Sequence, residues 1–182
     1  MGDSTAGCTP PSKGTARGVP AAEGEKFLTF YLADEEYGVE ILKVQEIIGL
    51  LPITRVPRTP IYLRGVINLR GKVIPVVDLR LKFGMESKTN TTETCIIVVH
   101  VHGVEMGVVV DRVSEVLRIP ANDIEPTPTF GNDVRTDYIL GIGKSQAKVK
   151  ILLDIDKVLS ADGITQVRLS KDASEEECLK RA

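Results

Sequence analysis

The chain has 182 residues, of which 42% are apolar and 26% charged, with a formal net charge of −2 at pH 7. These values are ordinary for a globular protein of one large or two small domains. The charge argues against nucleic-acid binding, and aromatic residues at 4%, with no Trp, supply few rings to stack on bases. No apolar run is long enough to span a bilayer, and the N-terminus lacks an apolar signal segment, so we expect a cytoplasmic protein.

Two end segments look unlike the rest of the chain. Residues 1–24 are rich in Gly, Pro, Ser, Thr and Ala and contain few large apolar side chains, which predicts a disordered extension. Residues 163–182 are mostly polar and partly acidic, and they are expected to form a tail or a short helix. The folded body is therefore predicted between these segments.

The body consists of short apolar runs that Gly, Pro, Asn or Asp interrupt about every ten residues, the spacing of an all-β sandwich or barrel. Pro75 within one run predicts a strand at a sheet edge or a bulge. The runs are KFLTFYLAD, EYGVEI, YLRGVINL, KVIPVVD, TCIIVVHVHG, VEMGVVVD, YILGIG and KVKILLD. No long helical pattern accompanies them, so any helices are expected to be short.

The run that contains Asn68 and Arg70 raises a question, because polar side chains interrupt an apolar strand there. If the strand is extended, successive side chains point to opposite faces. Ile67 and Leu69 then face the core, while Asn68 and Arg70 face outward. One face of this strand is therefore predicted to be a surface.

The body also repeats itself. Residues 37–47 align with residues 106–116, with Gly, Val, Val and Glu in register, and residues 62–79 align with residues 138–155 at identical internal spacing. Such self-similarity indicates a duplicated unit.

The duplication predicts two similar small β barrels, formed by residues 25–86 and residues 87–162. Each is small for independent stability, so the two are expected to pack on one another.

Asp78 and Asp154 each end a predicted strand and precede a short helical segment. We interpret both as helix N-caps and not as a catalytic pair, because the duplication explains why there are two.

Sites for chemistry are poorly supported. His100 and His102 would share one face of a strand, but they are the only histidines, and zinc sites normally need three or four protein ligands. Gly143-Lys144-Ser145 lacks the earlier glycine and the following helix of a phosphate-binding loop. The three cysteines, Cys8, Cys95 and Cys178, are far apart, which argues against a disulfide framework. We predict no metal, no cofactor and no enzyme activity.

Several motifs together resemble the CheW family of bacterial chemotaxis coupling proteins. They are EEYGVEILKVQEI, PRTPIYLRGVINLRG, VIPVVDLRLKFG, GVVVDRVSEVLRI and YILGIGK, and the similarity extends from about Lys26 to Leu159. The resemblance implies two SH3-like β barrels in one chain, with short helical segments. It also implies a non-catalytic adaptor that links the cytoplasmic tips of chemoreceptors, the methyl-accepting chemotaxis proteins, to the regulatory domain of the histidine kinase CheA in receptor arrays.

The resemblance also implies which residues bind the receptor. The positions that match the family's receptor-binding surface are Val44, Glu46, Gly65 and Arg70, with Asn68 beside them. It implies no kinase-binding residues. Glu46 recurs in the second repeat as Glu115, so part of its role could also be structural, whereas Asn68 and Arg70 do not recur. Plain drift of exposed positions remains the alternative explanation for that difference.

A competing hypothesis is a β-barrel module that binds nucleic acid or a small ligand. Only the barrel topology favours it. Oligonucleotide binding that collapses with added salt would distinguish this class of protein from an adaptor, and we expect none.

Overall fold

The structure is a computed structural model that describes residues 24–128, 136–145 and 148–160. Almost all of the predicted extension, residues 1–24, and the whole predicted tail, residues 163–182, lie outside the described residues. Within the described ranges the chain is mostly β-strand, which confirms the all-β prediction. No helix in these ranges is long and apolar enough to cross a membrane.

The strands follow one another with short connections. Those of the first repeat are β1 (Glu25–Leu32), β2 (Glu35–Glu40), β3 (Val44–Gly49), β4 (Leu63–Leu69) and β5 (Lys72–Asp78). Those of the second are β6 (Cys95–Val101), β7 (Val104–Val110), β8 (Arg112–Ile119), β9 (Ile124–Glu125), β10 (Ile139–Ser145) and β11 (Lys148–Leu153). Helix α1 (Leu79–Lys82) follows β5, helix α2 (Ile155–Ser160) follows β11, and 3₁₀ turns occupy Ile41–Lys43 and Ala121–Asp123.

The two sheets exchange strands between the repeats. One sheet has the order β8-β1-β2-β11-β10-β9 and the other β3-β6-β7-β5-β4. The first hairpin of each repeat therefore lies in the sheet that contains the later strands of the other repeat. Strands of different repeats meet at four pairs, the antiparallel pairs β1 with β8 and β3 with β6 and the parallel pairs β2 with β11 and β5 with β7. The division into residues 25–86 and 87–162 stays a prediction, and neither sheet is built from the strands of one of these ranges alone.

The buried side chains form three clusters. The largest lies between the two sheets and takes residues from both, including Phe30, Val77, Val108 and Leu153. A second cluster, around Ile67, fills the interior of the barrel formed by the β3-β6-β7-β5-β4 sheet. A third cluster, around Phe27, fills the interior of the barrel formed by the other sheet. Strands such as β6 bury side chains on both faces, which explains their nearly continuous apolar sequence.

Two equivalent glycines mark the parallel pairs. Gly38 lies opposite Leu152, and Gly107 lies opposite Val76. A Cβ atom on Gly107 would lie 2.9 Å from Cγ2 of Ile96 and 3.2 Å from Cγ2 of Val76, and one on Gly38 would lie 2.9 Å from Cδ2 of Leu152. The glycine recurs in the repeat because a packed side chain occupies this space in both sheets.

Both predicted N-caps are confirmed. Asp78 Oδ1 accepts hydrogen bonds from the backbone N–H groups of Arg80 at 2.9 Å and Leu81 at 3.4 Å. Asp154 Oδ1 accepts one from Lys157 N at 3.2 Å. These carboxylates satisfy the free donors at the start of α1 and α2.

An ion pair ties the two sheets together at their junction. Arg80 Nε and Nη2 donate to the two carboxylate oxygens of Asp111 at 2.7 and 2.6 Å, and Asp111 Oδ2 also accepts from Ala33 N at 2.9 Å. Burial raises the pKa of Asp111, but the hydrogen bonds from Arg80 and Ala33 and the charge of Arg80 outweigh it, so the pKa lies below its ordinary value. The β1–β2 hairpin is thereby fixed to α1, which follows a strand of the other sheet.

We predict that Gly107→Ala destabilises the fold by about 1–3 kcal/mol, because the added methyl group overpacks a core with little room to relax. Gly49→Ala is the control, since a Cβ at Gly49 meets nothing within 4 Å, and its effect should be about 0.5 kcal/mol or less. Urea unfolding of both variants measures the difference, and equal effects would contradict the packing explanation.

Candidate functional site

The five predicted site residues lie at the two ends of the β3-β6-β7-β5-β4 strand order. Val44 and Glu46 belong to β3, Gly65 and Asn68 belong to β4, and Arg70 follows β4. Residues at opposite ends of a sheet approach one another only if the sheet curls. The contacts between these two ends therefore show how the barrel closes.

Arg70 lies in a turn and not on the strand face that the alternation predicted. Strand β4 ends at Leu69, which pairs with Lys72, so Arg70 and Gly71 form a two-residue hairpin turn. Their φ angles of 52° and 86° fit a type I′ turn. Asn68 Oδ1 accepts a hydrogen bond from Gly71 N at 2.9 Å and so supports the turn. The outward direction of Arg70 thus comes from the hairpin turn.

Glu46 and Arg70 form a bidentate ion pair across the closure of the barrel. Arg70 Nη1 donates to Glu46 Oε1 at 3.2 Å, and Nη2 donates to Oε2 at 2.8 Å. The Arg70 side chain is 77% exposed and that of Glu46 is 27% exposed. Such an exposed pair contributes about 1 kcal/mol or less to folding. Its bidentate geometry fixes the position of both charged groups at the surface.

Val44 faces away from Glu46 because β3 contains a bulge between them. Val44 pairs with Val99, which belongs to the cluster between the sheets, whereas Glu46 pairs with Val98, which belongs to the barrel interior. Val44 is half-buried and packs against the cluster between the sheets. The five residues consequently do not form one continuous face.

Gly65 is buried and has a structural reason to be glycine. Its φ is +141°, and a Cβ atom would lie only 2.0 Å from the carbonyl oxygen of Thr54. Thr54 and Val66 exchange two backbone hydrogen bonds of 2.9 and 2.8 Å at this point. At the equivalent Gly141, a Cβ atom would lie 2.7 Å from Cγ2 of Ile124 and 2.8 Å from the carbonyl oxygen of Glu125. Gly65 therefore lets the segment before β4 cross the strand closely.

The sequence reasoning missed two exposed apolar side chains beside these residues. Ile47 follows Glu46 on β3 and is 46% exposed, and Val73 lies directly opposite Asn68 and is 63% exposed. Outward alternation from the buried Ile74 would have indicated Val73. The bulge in β3 removes any comparable signal for Ile47.

A recess of about 730 Å³ lies along the segment before β4 and was also not predicted. Its lining combines apolar side chains, among them Leu51, Ile53 and the highly exposed Ile61, with Arg55 and Arg58. It is open to solvent and offers an apolar surface with basic groups beside it.

His100 and His102 line the same recess, but they do not both lie on a strand. Strand β6 ends at Val101, and His102 lies in the following two-residue turn with a φ of 48°. Over residues 24–128, 136–145 and 148–160, no three His, Cys, Asp or Glu side chains are grouped so that they could hold a metal ion.

Comparisons with known proteins agree on one family. A family model described as CheW-like domain matches residues 26–163. Chemotaxis protein CheW of Klebsiella aerogenes is 42% identical over 144 residues, which is 79% of this chain and 87% of that protein. Chemotaxis protein CheW of Helicobacter pylori is 38% identical over 137 residues, which is 75% of this chain and 82% of that protein.

A solved structure is similar as well. The crystal structure of scaffolding protein TtCheW from Thermoanaerobacter tengcongensis gives a TM-score of 0.70 at 37% identity, covering 77% of this chain and 95% of that chain. This likeness and the two sheets confirm the prediction of two SH3-like β barrels from a duplicated unit.

We predict that Gly65→Ala unfolds the protein or destabilises it severely, because the new side chain is strained at this φ and collides with the Thr54 carbonyl. Gly71→Asn is the matched control, since its φ of +86° also favours glycine, but nothing lies within 4 Å and Asn tolerates such turns. Thermal melts followed by circular dichroism compare the two. A Gly65→Ala protein that melts like the parent would show that the close approach is not required.

Proposed function

Because this chain belongs to the CheW-like domain family, we propose that it is the adaptor that couples transmembrane chemoreceptors to the histidine kinase CheA in signalling arrays. Its relatives are named chemotaxis proteins, and the solved relative is named a scaffolding protein. The family is non-catalytic, so this chain is not an enzyme. Its working place would be the cytoplasmic side of the receptor array.

The observation that carries the receptor assignment is the Glu46–Arg70 pair. It presents two charged groups in fixed positions, and Asn68 holds the turn on which Arg70 sits. Exposed apolar surface is present on the neighbouring positions Ile47, which follows Glu46 on β3, and Val73, which pairs with Asn68. In such an interface, apolar anchors supply most of the affinity, and charged groups at the rim set specificity and orientation.

Val44 and Gly65 would support the residues of the receptor site without contacting the receptor themselves. Val44 packs half-buried against the cluster between the sheets and so supports β3 next to Glu46. Gly65 fixes the start of β4, the strand that leads to Arg70. We therefore assign direct receptor contact to Glu46, Asn68 and Arg70, and a positioning role to Val44 and Gly65.

The kinase would bind other faces of the two barrels. An adaptor must hold receptor and kinase at once, so the two contacts cannot overlap fully. The recess lined by Ile53 and Ile61 is separate from the Glu46–Arg70 pair and combines apolar and basic groups.

We predict that Arg70→Glu leaves the protein folded and bound to CheA but removes most receptor binding. Arg70 is highly exposed, so the change in folding free energy should be about 0.5 kcal/mol or less. At an interface, however, like charges cost several kcal/mol, or about a hundredfold or more in affinity. A circular dichroism melt measures the folding stability. Separate titrations with a chemoreceptor cytoplasmic fragment and with CheA measure the receptor affinity and the kinase affinity.

Lys144→Glu is the matched control, because Lys144 also forms an exposed ion pair, with Glu125 at 2.6 Å, but in the other barrel. It should bind receptor like the parent. The double variant Arg70→Glu/Glu46→Lys should recover part of the affinity if the two residues act mainly as a pair, and none if each contacts the receptor separately. An Arg70→Glu protein that binds receptor as tightly as the parent would remove Arg70 from the receptor site.

A further inference from the structure

A buried ion pair connects the two repeats inside the barrel formed around β1 and β2. Lys150 Nζ lies 2.6 Å from Glu36 Oε1, and the side chains are only 4% and 5% exposed. The Tyr31 hydroxyl contacts the other Glu36 oxygen at 3.4 Å. Burial raises the pKa of Glu36, but the hydrogen bond and charge of Lys150 outweigh it, so the pKa lies below its ordinary value.

The pair lies at one of the four strand pairs where the two repeats meet. Glu36 belongs to β2 of the first repeat, and Lys150 belongs to β11 of the second. Glu36 lies two residues before Gly38, and Lys150 lies two residues before Leu152, which is the register partner of Gly38. All four therefore share one face of the parallel pair.

The equivalent positions of the other barrel are different. By the repeat, Glu36 corresponds to Glu105, and Lys150 corresponds to Ile74, which is 1% exposed in an apolar cluster. Glu105 instead pairs at the surface with Lys72, at 2.8 Å, where the Lys72 side chain is 69% exposed. One barrel thus has a buried ion pair where the other has an apolar interior.

The duplicated chain has a second conceivable arrangement, in which each hairpin pairs with the last strand of its own repeat. Gly38 would then face Val76, and Gly107 would face Leu152, contacts of nearly the same shape. Glu36 would lie against Ile74 without its buried cation, and Lys150 would move next to Glu105 within an apolar interior. An ion removed from its buried partner is strongly unfavourable.

We propose that the buried Glu36–Lys150 pair selects the strand-exchanged arrangement over the closed one. Of the two arrangements, only the exchanged one gives the buried Glu36 carboxylate a buried ammonium partner. At the two parallel pairs, the similar packing around Gly38 and Gly107 gives the apolar contacts there little part in this choice. The selection concerns the fold and is independent of the function proposed above.

The test uses the full chain, refolded from denaturant, and solution NMR of backbone amides. Cross-strand contacts of Gly38 with Leu152 and of Gly107 with Val76 report the exchanged arrangement. Contacts of Gly38 with Val76 and of Gly107 with Leu152 report the closed one. The variant Glu36→Leu/Lys150→Met removes both charges and should show the closed contacts as a second set, whereas the parent shows the exchanged contacts alone.

Two further variants sharpen the result. Glu105→Leu/Lys72→Met removes the exposed pair at the equivalent positions and should keep the exchanged contacts alone. Glu36→Lys/Lys150→Glu restores a pair only in the exchanged arrangement, because the closed one would place Glu105 beside the new carboxylate, so it too should show exchanged contacts alone.

If the variant Glu36→Leu/Lys150→Met does not fold, Glu36→Gln/Lys150→Gln takes its place. It is also expected to show the closed contacts as a second set. Exchanged contacts alone in the folded uncharged variant would overturn the proposal. Closed contacts in the Glu105→Leu/Lys72→Met control would overturn it as well, since the surface pair would then have the same effect.

Discussion

The apolar layer between the two sheets is the constraint on which the rest of the structure depends. Side chains from β1, β2 and β11 on one side and from β5, β6 and β7 on the other form one buried cluster. The smaller interiors, around Phe27 and around Ile67, could not stabilise barrels of this size by themselves. Exchange of the hairpins makes the two barrels complete one another, and the Arg80–Asp111 ion pair fixes the same junction.

This arrangement would allow an adaptor to present the proposed receptor site on a rigid frame. Strand β3 is held by β6 of the other repeat, and the hairpin that carries Arg70 is held through β5 by β7. The Glu46–Arg70 pair then joins the two ends of this sheet. Its two charged groups keep their positions because both supporting strands are anchored in the shared core, and such preorganisation reduces the cost of binding.

The sequence predicted the all-β fold, the duplication and the caps at Asp78 and Asp154, because each leaves a local pattern of alternation, spacing or residue type. It did not predict the strand exchange, since Gly38 and Gly107 are the same residue at equivalent positions and do not indicate which repeat each hairpin joins. Arg70 was placed on a strand because Arg-Gly is not a usual type I′ turn sequence. The bulge in β3, which turns Val44 away from Glu46, depends on pairing with β6 and has no local signal.

Native-state hydrogen exchange tests most directly whether the two barrels form one mutually completed unit. If they do, amides in the centres of β2 and β11 and of β5 and β7 should exchange with the same free energy, equal to that of global unfolding, and should respond equally to denaturant. One pair of strands that opens at distinctly lower free energy while the other barrel stays protected would contradict this account of the fold.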